Sequence, residues 1–238
     1  VGDNRRHVAH ADGTPYLWIG DTPWAAFVAA TQAEWESYLD NRRQNGFTLV
    51  QVHCGSGFLR FEQDRAGNPP FFGAGAGLQL NPAYWRHVDE KVRAANERGL
   101  VVFICAVRQP GASFPMKGFP GDDEEEVARF ARSLVARLMD RFVIFSPIAD
   151  DLWSPPADAV GRALRDASSL HLISAHPRFF LEPAITFHGK DYVDVVGVQT
   201  GEGWTADPYK KEPKRPFSTA LAAQNAYEWP LHLYRLAP

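Results

Sequence analysis

Seven short apolar runs recur along the chain, and most show no alternation of polar and apolar positions. Such runs are typical of strands covered on both faces, so they predict a parallel sheet covered by helices. They occupy residues 16–19, 47–52, 100–107, 142–148, 170–175, 193–198 and about 216–221. The most informative segment is Arg141–Trp153, RFVIFSPIADDLW, because its strand ends in two adjacent carboxylates, Asp150 and Asp151. Carboxylates there lie where α/β folds place their chemistry, although turns and helix caps use the same residue type.

Amphipathic stretches between the runs predict helices. Residues 31–34, Thr-Gln-Ala-Glu, form a capping-box pattern, and the helix that they begin ends at Gly46. Asn81-Pro82 begins a second helix, in which apolar residues recur every three or four positions until Gly99. Each helix follows an apolar run, which is the order of repeated βα units.

Four further segments have distinct patterns. The acidic run at 122–126 predicts the start of a third helix rather than a metal site, because carboxylates interact favourably with a helix N-terminus. A fourth helix is predicted near 157–168. Asp12-Gly13 predicts a hairpin turn before the first barrel strand. Residues 56–80 are rich in Gly, Phe and Pro without helical or strand periodicity, which predicts a long functional loop.

These elements predict an α/β fold, a (β/α)8 TIM-type barrel formed by one domain over residues 1–238. Polar residues follow the predicted strands, and a closed barrel would bring them to one face. They are Asp21, His53, Arg108, Asp150, His176, Gln199 and Gln224. An open doubly wound sheet is disfavoured, because no phosphate-binding glycine motif follows a strand. No eighth unit is readable before Pro238, so the predicted barrel is either truncated there or closed differently.

Composition excludes several classes of protein. The 238 residues carry a net charge of −3, which gives no reason to expect nucleic acid or an anionic membrane as a partner. No apolar run approaches the roughly 20 residues of a membrane span. The only cysteines, Cys54 and Cys105, lie far apart in apolar segments, which predicts buried free thiols. The chain begins with Val1 and shows no signal peptide, so its localisation cannot be read directly.

Aromatic residues make up 13% of the chain, and several lie at strand ends or in Gly/Pro-rich loops. Aromatic rings can line a carbohydrate-binding cleft, because the C–H faces of a sugar pack on them, but a single ring is more often part of a core. The residues in question are Trp24, Phe58, Phe61, Phe71, Phe72, Trp153, Trp204 and Trp229.

Several motifs together resemble the apiosidase-like family of glycoside hydrolases. They are GDTPW at 20–24, RQNGF at 43–47, the helix NPAYWRHVDE at 81–90, SPIAD at 146–150 and QTG at 199–201. Each motif is weak alone, but the combination covers about residues 12–228. The resemblance implies a (β/α)8 barrel that hydrolyses glycosidic bonds of oligo- or polysaccharides without a metal or cofactor. It also favours a secreted or periplasmic location.

The resemblance assigns roles by position. Asp150 corresponds to the general acid/base, and the second carboxylate is expected at position 224, where this chain has glutamine. Glu228 follows in the same motif. The implied substrate-binding residues are Asp21, Trp24, His53, Arg108, Asp151, His176, Gln199 and Trp204. His87, beside Asp89 on a helix, is expected to be structural.

Gln224 leaves three interpretations open, because an amide can be neither nucleophile nor base. It is an inactivating Glu→Gln substitution, or Glu228 or Glu202 has taken over the role, or gaps shift the alignment. Two functions therefore remain: a glycosidase that removes terminal or side-chain sugars, and a catalytically inactive carbohydrate-binding barrel. A zinc site formed by His53, His176 and Asp150 is disfavoured, since no HExxH-like spacing supports it.

Overall fold

The computed structural model describes residues 7–55, 63–73, 77–106, 123–151, 153–177, 187, 189–197 and 232–234. Only the backbone is described for Asp150, Asp151 and the segment 232–234. The helices are α1 Ala26–Ala29, α2 Gln32–Gln44, α3 Pro82–Glu97, α4 Glu124–Arg137 and α5 Pro155–Ala167.

A curled parallel sheet forms the centre of the fold. In spatial order its strands are β1 Gly20–Asp21, β2 Leu49–His53, β5 Val101–Cys105, β6 Val143–Ser146, β8 Leu172–Pro177 and β9 Val195–Gly197. The short β7, Ala149–Asp151, continues β6 along β8, and β10, His232–Tyr234, pairs antiparallel with β9. A separate hairpin consists of β3 Phe71–Phe72 and β4 Gln79–Leu80. In the described residues, six parallel strands with intervening helices form a half-barrel of the TIM type, which confirms the predicted fold class.

Side chains on successive strand positions divide between two apolar layers. One layer lies between sheet and helices and contains residues such as Val50, Ile104 and Phe145. The other lies inside the curled sheet and contains Leu49, Phe103 and others. Because strand side chains alternate between faces, the second layer identifies the barrel interior.

Most predicted elements are present with shifted boundaries. The Thr31 capping box is complete, Asp123 caps α4, and Ala9 pairs with Pro15 across the predicted hairpin turn. The first strand is different: it is Gly20–Asp21 rather than 16–19. The segment 56–80, predicted to have no strands, contains β3 and β4. The strand predicted at 216–221 lies outside the described residues.

Lys91 on α3 binds backbone carbonyl groups of α1, the helix that follows β1. Its side chain is buried, and Nζ donates to the carbonyl oxygens of Ala26, Phe27 and Ala30 at 3.0, 2.9 and 2.7 Å. A cation is favourably placed at these last carbonyls of α1. Removal from water nevertheless lowers the pKa of Lys91 to about 8.

This lowered pKa gives stability a defined pH dependence. Between pH 8 and 10 the unfolded chain binds more protons at Lys91 than the folded chain, so the free energy of unfolding should rise with pH, by about 2 kcal/mol. Lys91→Met should lack this rise. Chemical denaturation of both proteins at pH 7, 8, 9 and 10 measures it, and shared tyrosines and cysteines cancel in the difference. Parallel pH profiles would contradict the prediction.

Candidate active site

The C-terminal ends of the strands bring together three of the predicted site residues. His53 is the last residue of β2, His176 lies near the end of β8, and Trp24 lies between β1 and α1. Strand alternation places both histidines on the inner face, since Val52 and Ala175 belong to the layer beneath the helices. Both are buried, whereas Trp24 is partly exposed. These residues form one side of the barrel mouth.

Direct contacts join these three residues. The Trp24 and His176 rings meet edge to face, with centroids 5.3 Å apart, and the His53 backbone N–H donates to the Trp24 carbonyl at 3.0 Å. Nδ1 of His53 accepts from the Gly55 backbone N–H at 3.3 Å. A neutral His53 ring therefore carries its proton on Nε2, where it can donate to an acceptor such as a hydroxyl oxygen.

An aromatic column supports this mouth from below. Tyr16, Trp18, Phe103 and His176 follow one another through the barrel interior, with successive ring centroids 6.4, 6.3 and 6.4 Å apart. Tyr16 donates to the Thr48 carbonyl at 2.8 Å, and burial raises its pKa to about 12. Edge-to-face packing fixes ring orientations, so the column holds His176 in place. Sequence reasoning missed this role for Phe103, which is one apolar residue among several in its strand.

The Ser146-Pro147 step explains how β6 becomes β7. Ser146 Oγ donates to the Ile148 carbonyl at 2.6 Å and accepts from the His176 backbone N–H at 3.1 Å. In the register that follows, Ala149 lies opposite His176, and Asp151 lies opposite Pro177. The backbone of Asp150 is therefore beside His176 at the barrel mouth. The Ser-Pro interruption of an apolar run was the sequence signal for this irregularity.

Asp21 has protein partners on the outer face of the sheet. It lies opposite Val50 of the outer layer, and its carboxylate accepts from the Thr22 backbone N–H at 2.8 Å and from Tyr38 Oη at 2.9 Å. Arg42 pairs with the same carboxylate. Burial raises the pKa of Tyr38, so its hydroxyl remains a donor. Asp21 thus fastens β1 to α2, and its predicted contact with sugar stays a prediction.

Other polar groups of the sequence have structural partners. His87 Nδ1 lies 2.8 Å from Asp64 Oδ2, which ties the long loop to α3, and Asp89 pairs with Arg137 at 3.3 Å. Both cysteines are buried and free, as predicted, and burial raises the pKa of Cys54.

Several predicted site residues lie outside the described part of the chain. These are Arg108, Gln199, Glu202, Trp204, Gln224 and Glu228. Within the described part, no three His, Cys, Asp or Glu residues are grouped so as to hold a metal ion. No helix there is long and apolar enough to cross a membrane.

A cavity of about 390 Å³ lies at the opposite end of the barrel. Apolar side chains dominate its wall, including Val8, Phe142 and Leu172 near the N-terminal ends of the strands. Barrel enzymes place their chemistry at the C-terminal face, so this cavity is not the candidate site.

Comparison with solved structures supports the fold. A glycoside hydrolase family 5 protein from Bacteroides vulgatus is 21% identical, with a TM-score of 0.70 over 82% of this chain and 42% of its own. An exo-β-1,4-mannosidase from an Opitutaceae bacterium is 15% identical, with a TM-score of 0.53 over 74% of this chain and 34% of its own. An endo-1,4-β-mannanase from Rhizomucor miehei is 10% identical, with a TM-score of 0.56 over 78% and 67%. The chain thus spans less than half the length of the first two.

Comparison with curated proteins found no significant match. A family model described as the catalytic domain of apiosidase-like proteins matches residues 2–234, nearly the whole chain. The match agrees with the motifs at 20–24, 81–90 and 146–150 and with the barrel on which they lie. The chain belongs to the apiosidase-like catalytic-domain family.

Proposed function

We propose that this chain is a glycoside hydrolase that removes terminal or side-chain sugars from oligo- or polysaccharides. One observation carries the proposal: the strand register of this family member brings Asp150 beside His176 at the C-terminal face of the barrel. Barrel hydrolases act at this face, and glycoside hydrolysis needs a carboxylic acid there to protonate the leaving oxygen. Asp150 is the proposed general acid/base.

The described residues at the mouth suit a sugar. Trp24 offers a partly exposed ring held against His176, and His53 can donate from Nε2 to a hydroxyl group. His176 would contact or orient groups beside Asp150. Arg108, Gln199 and Trp204 are proposed to complete the substrate site from the following loops, with Asp151 in support. Asp21 positions β1 through Tyr38 and Arg42, in addition to its proposed hydroxyl contacts.

An enzyme function requires a second carboxylate, and position 224, where the family motif expects it, is a glutamine in this chain. Gln224 keeps the shape of glutamate but has no charge, so it cannot activate water or form a glycosyl intermediate. Glu228, in the same motif, and Glu202, directly after the QTG motif, are the carboxylates proposed to take over its role. A glutamine at this position favours the second candidate function, a carbohydrate-binding barrel without turnover.

A panel of 4-nitrophenyl glycosides separates the two functions. It should include apiofuranoside, because of the family, and mannopyranoside and glucopyranoside, because structurally similar proteins include a mannosidase, mannanases and a protein solved with cellobiose. Binding of the matching oligosaccharides is measured in parallel by calorimetry. Release of nitrophenol supports the enzyme, and binding without release supports the inactive barrel. If the chain shows neither, both functions are wrong.

A further inference from the structure

Trp153 is an exposed aromatic residue whose ring is held by a hydrogen bond and a cation–π contact. It lies between β7 and α5, and 38% of its surface is exposed. Its Nε1 donates to Asp158 Oδ1 at 3.1 Å, and the ammonium of Lys190 lies 4.4 Å from its ring centroid. The ring is therefore held along one edge and over one face while a large part of it faces solvent.

Asp158 binds both groups that hold the Trp153 ring and two further side chains. Its carboxylate also accepts from Lys190 Nζ and Arg162 Nε, each at 2.9 Å, and from Tyr192 Oη at 3.1 Å. Burial acts to raise the pKa of Asp158, but these hydrogen bonds, Lys190 first, lower it to about 2. The carboxylate is thus charged at neutral pH and fixes both the indole N–H and the ammonium.

Close packing on α5 restricts the residues that hold the Trp153 ring. Ser154 caps α5 by accepting from the Ala157 backbone N–H, and the Tyr192 ring packs directly on Gly161 one turn further along the helix. A Cβ at Gly161 would lie 2.2 Å from that ring, so only glycine permits this approach. A preorganised ring loses less conformational entropy when a ligand packs on it.

Core packing does not account for Trp153. Trp35 and Trp85 are almost fully buried, as tryptophans that serve a core are, whereas Trp153 keeps its exposure while charged groups immobilise it. A single exposed apolar side chain needs no explanation by itself. A ring that is exposed, clamped at two points and located directly after β7, whose C-terminal end lies at the barrel mouth, is a prepared binding surface.

We propose that Trp153 is a stacking platform for a sugar unit on the leaving-group side of the scissile bond, an inference that rests on the proposed function. In this proposal Asp150 protonates the leaving oxygen, and the chain that follows Asp150 borders the leaving-group side. Trp153 comes three residues later, which places its Cα within ~11 Å of the Asp150 Cα. Lys190 covers one face of the ring, and the sugar packs on the other.

Affinity for short and long oligosaccharides tests this platform. All proteins carry Asp150→Asn to prevent turnover, and calorimetry measures mannobiose, mannohexaose, cellobiose and cellohexaose. Trp153→Ala should weaken the better hexasaccharide about tenfold and leave its disaccharide within about twofold, since losing an aromatic anchor costs about a factor of ten. Trp153→Phe should retain part of the affinity. Lys190→Met should lose about threefold, because the ring is less firmly oriented.

Phe142→Ala is the matched control, because Phe142 is a 72% exposed ring just before β6, at the other end of the barrel. It should leave all affinities unchanged, and thermal unfolding shows whether each variant is folded. If folded Trp153→Ala and Trp153→Phe lose the same affinity for the disaccharide as for the hexasaccharide, or lose no affinity, the platform alone is overturned. So does failure of the parent to bind either hexasaccharide while the chain without Asp150→Asn cleaves an aryl glycoside. If no form of the chain binds an oligosaccharide or cleaves a glycoside, the proposed function is overturned as well.

Discussion

Asp150→Asn is expected to abolish glycoside hydrolysis in every active form of this chain. The side chain keeps its size but can no longer donate a proton to the leaving oxygen or accept one from water. Loss of a general acid/base lowers turnover by about 10²–10⁴-fold. The measurement is kcat on the 4-nitrophenyl glycoside that the panel identifies. If the chain itself is inactive, the same comparison is made with Gln224→Glu present.

The leaving group shows whether Asp150 acts as an acid. A 2,4-dinitrophenolate leaves without protonation, whereas a methoxide or sugar alkoxide needs a proton as the bond breaks. Asp150→Asn should therefore slow the methyl glycoside far more than the dinitrophenyl glycoside. A merely structural residue would slow both by the same factor.

Asp151→Asn is the internal control for this experiment. It removes the same charge one residue away, and Ser154 rather than Asp151 caps the following helix. We expect Asp151→Asn to keep turnover within about tenfold of the parent. Parent-like rates in Asp150→Asn, or an equally large loss in Asp151→Asn, would contradict the assignment of the acid to position 150.

The helices could be predicted well because their signals are local. A capping box at Thr31, an Asn-Pro start at Asn81 and the acidic run at 122–126 each act within one turn. All three begin helices in the structure, the last with Asp123 as its cap. The presence of strands could also be predicted, since buried strands appear in the sequence as apolar runs. The ends of strands could be predicted less well: β1 forms only at Gly20–Asp21. Before it, the Thr48 hydroxyl accepts from the Ile19 backbone N–H and donates to the Leu17 carbonyl, so a side chain binds backbone groups that a longer strand pairing would use.

The mouth of the barrel was only partly predictable. His53, His176 and Trp24 were identified because polar or aromatic residues at strand ends converge in any barrel. Contacts between residues far apart in sequence leave no local pattern. The hydrogen bond from His176 to Ser146 joins residues 30 positions apart, and the Asp158–Tyr192 pair spans 34. For the same reason, the Tyr38 and Arg42 partners of Asp21 could not be foreseen from the GDTPW motif.

Gln224→Glu is expected to raise glycoside turnover by at least about 10²-fold, the usual contribution of a correctly placed catalytic base or nucleophile. The substitution restores the second carboxylate that the family motif expects at this position. Initial rates on the full aryl-glycoside panel measure the gain, and a double variant with Asp150→Asn should lose it again. That dependence on Asp150 would show that the two side chains act in one reaction.

Asn225→Asp provides the matched control, since it adds the same charge by the same chemistry at the neighbouring position. It should leave the rate unchanged. If Gln224→Glu gives no gain although the parent hydrolyses a glycoside, the second carboxylate lies elsewhere, and Glu228→Gln or Glu202→Gln should abolish the activity. If Gln224→Glu gives no gain and the parent only binds sugars, the chain is a carbohydrate-binding barrel. The enzyme function therefore depends on a carboxylate partner for Asp150, and position 224 is the first place to restore it.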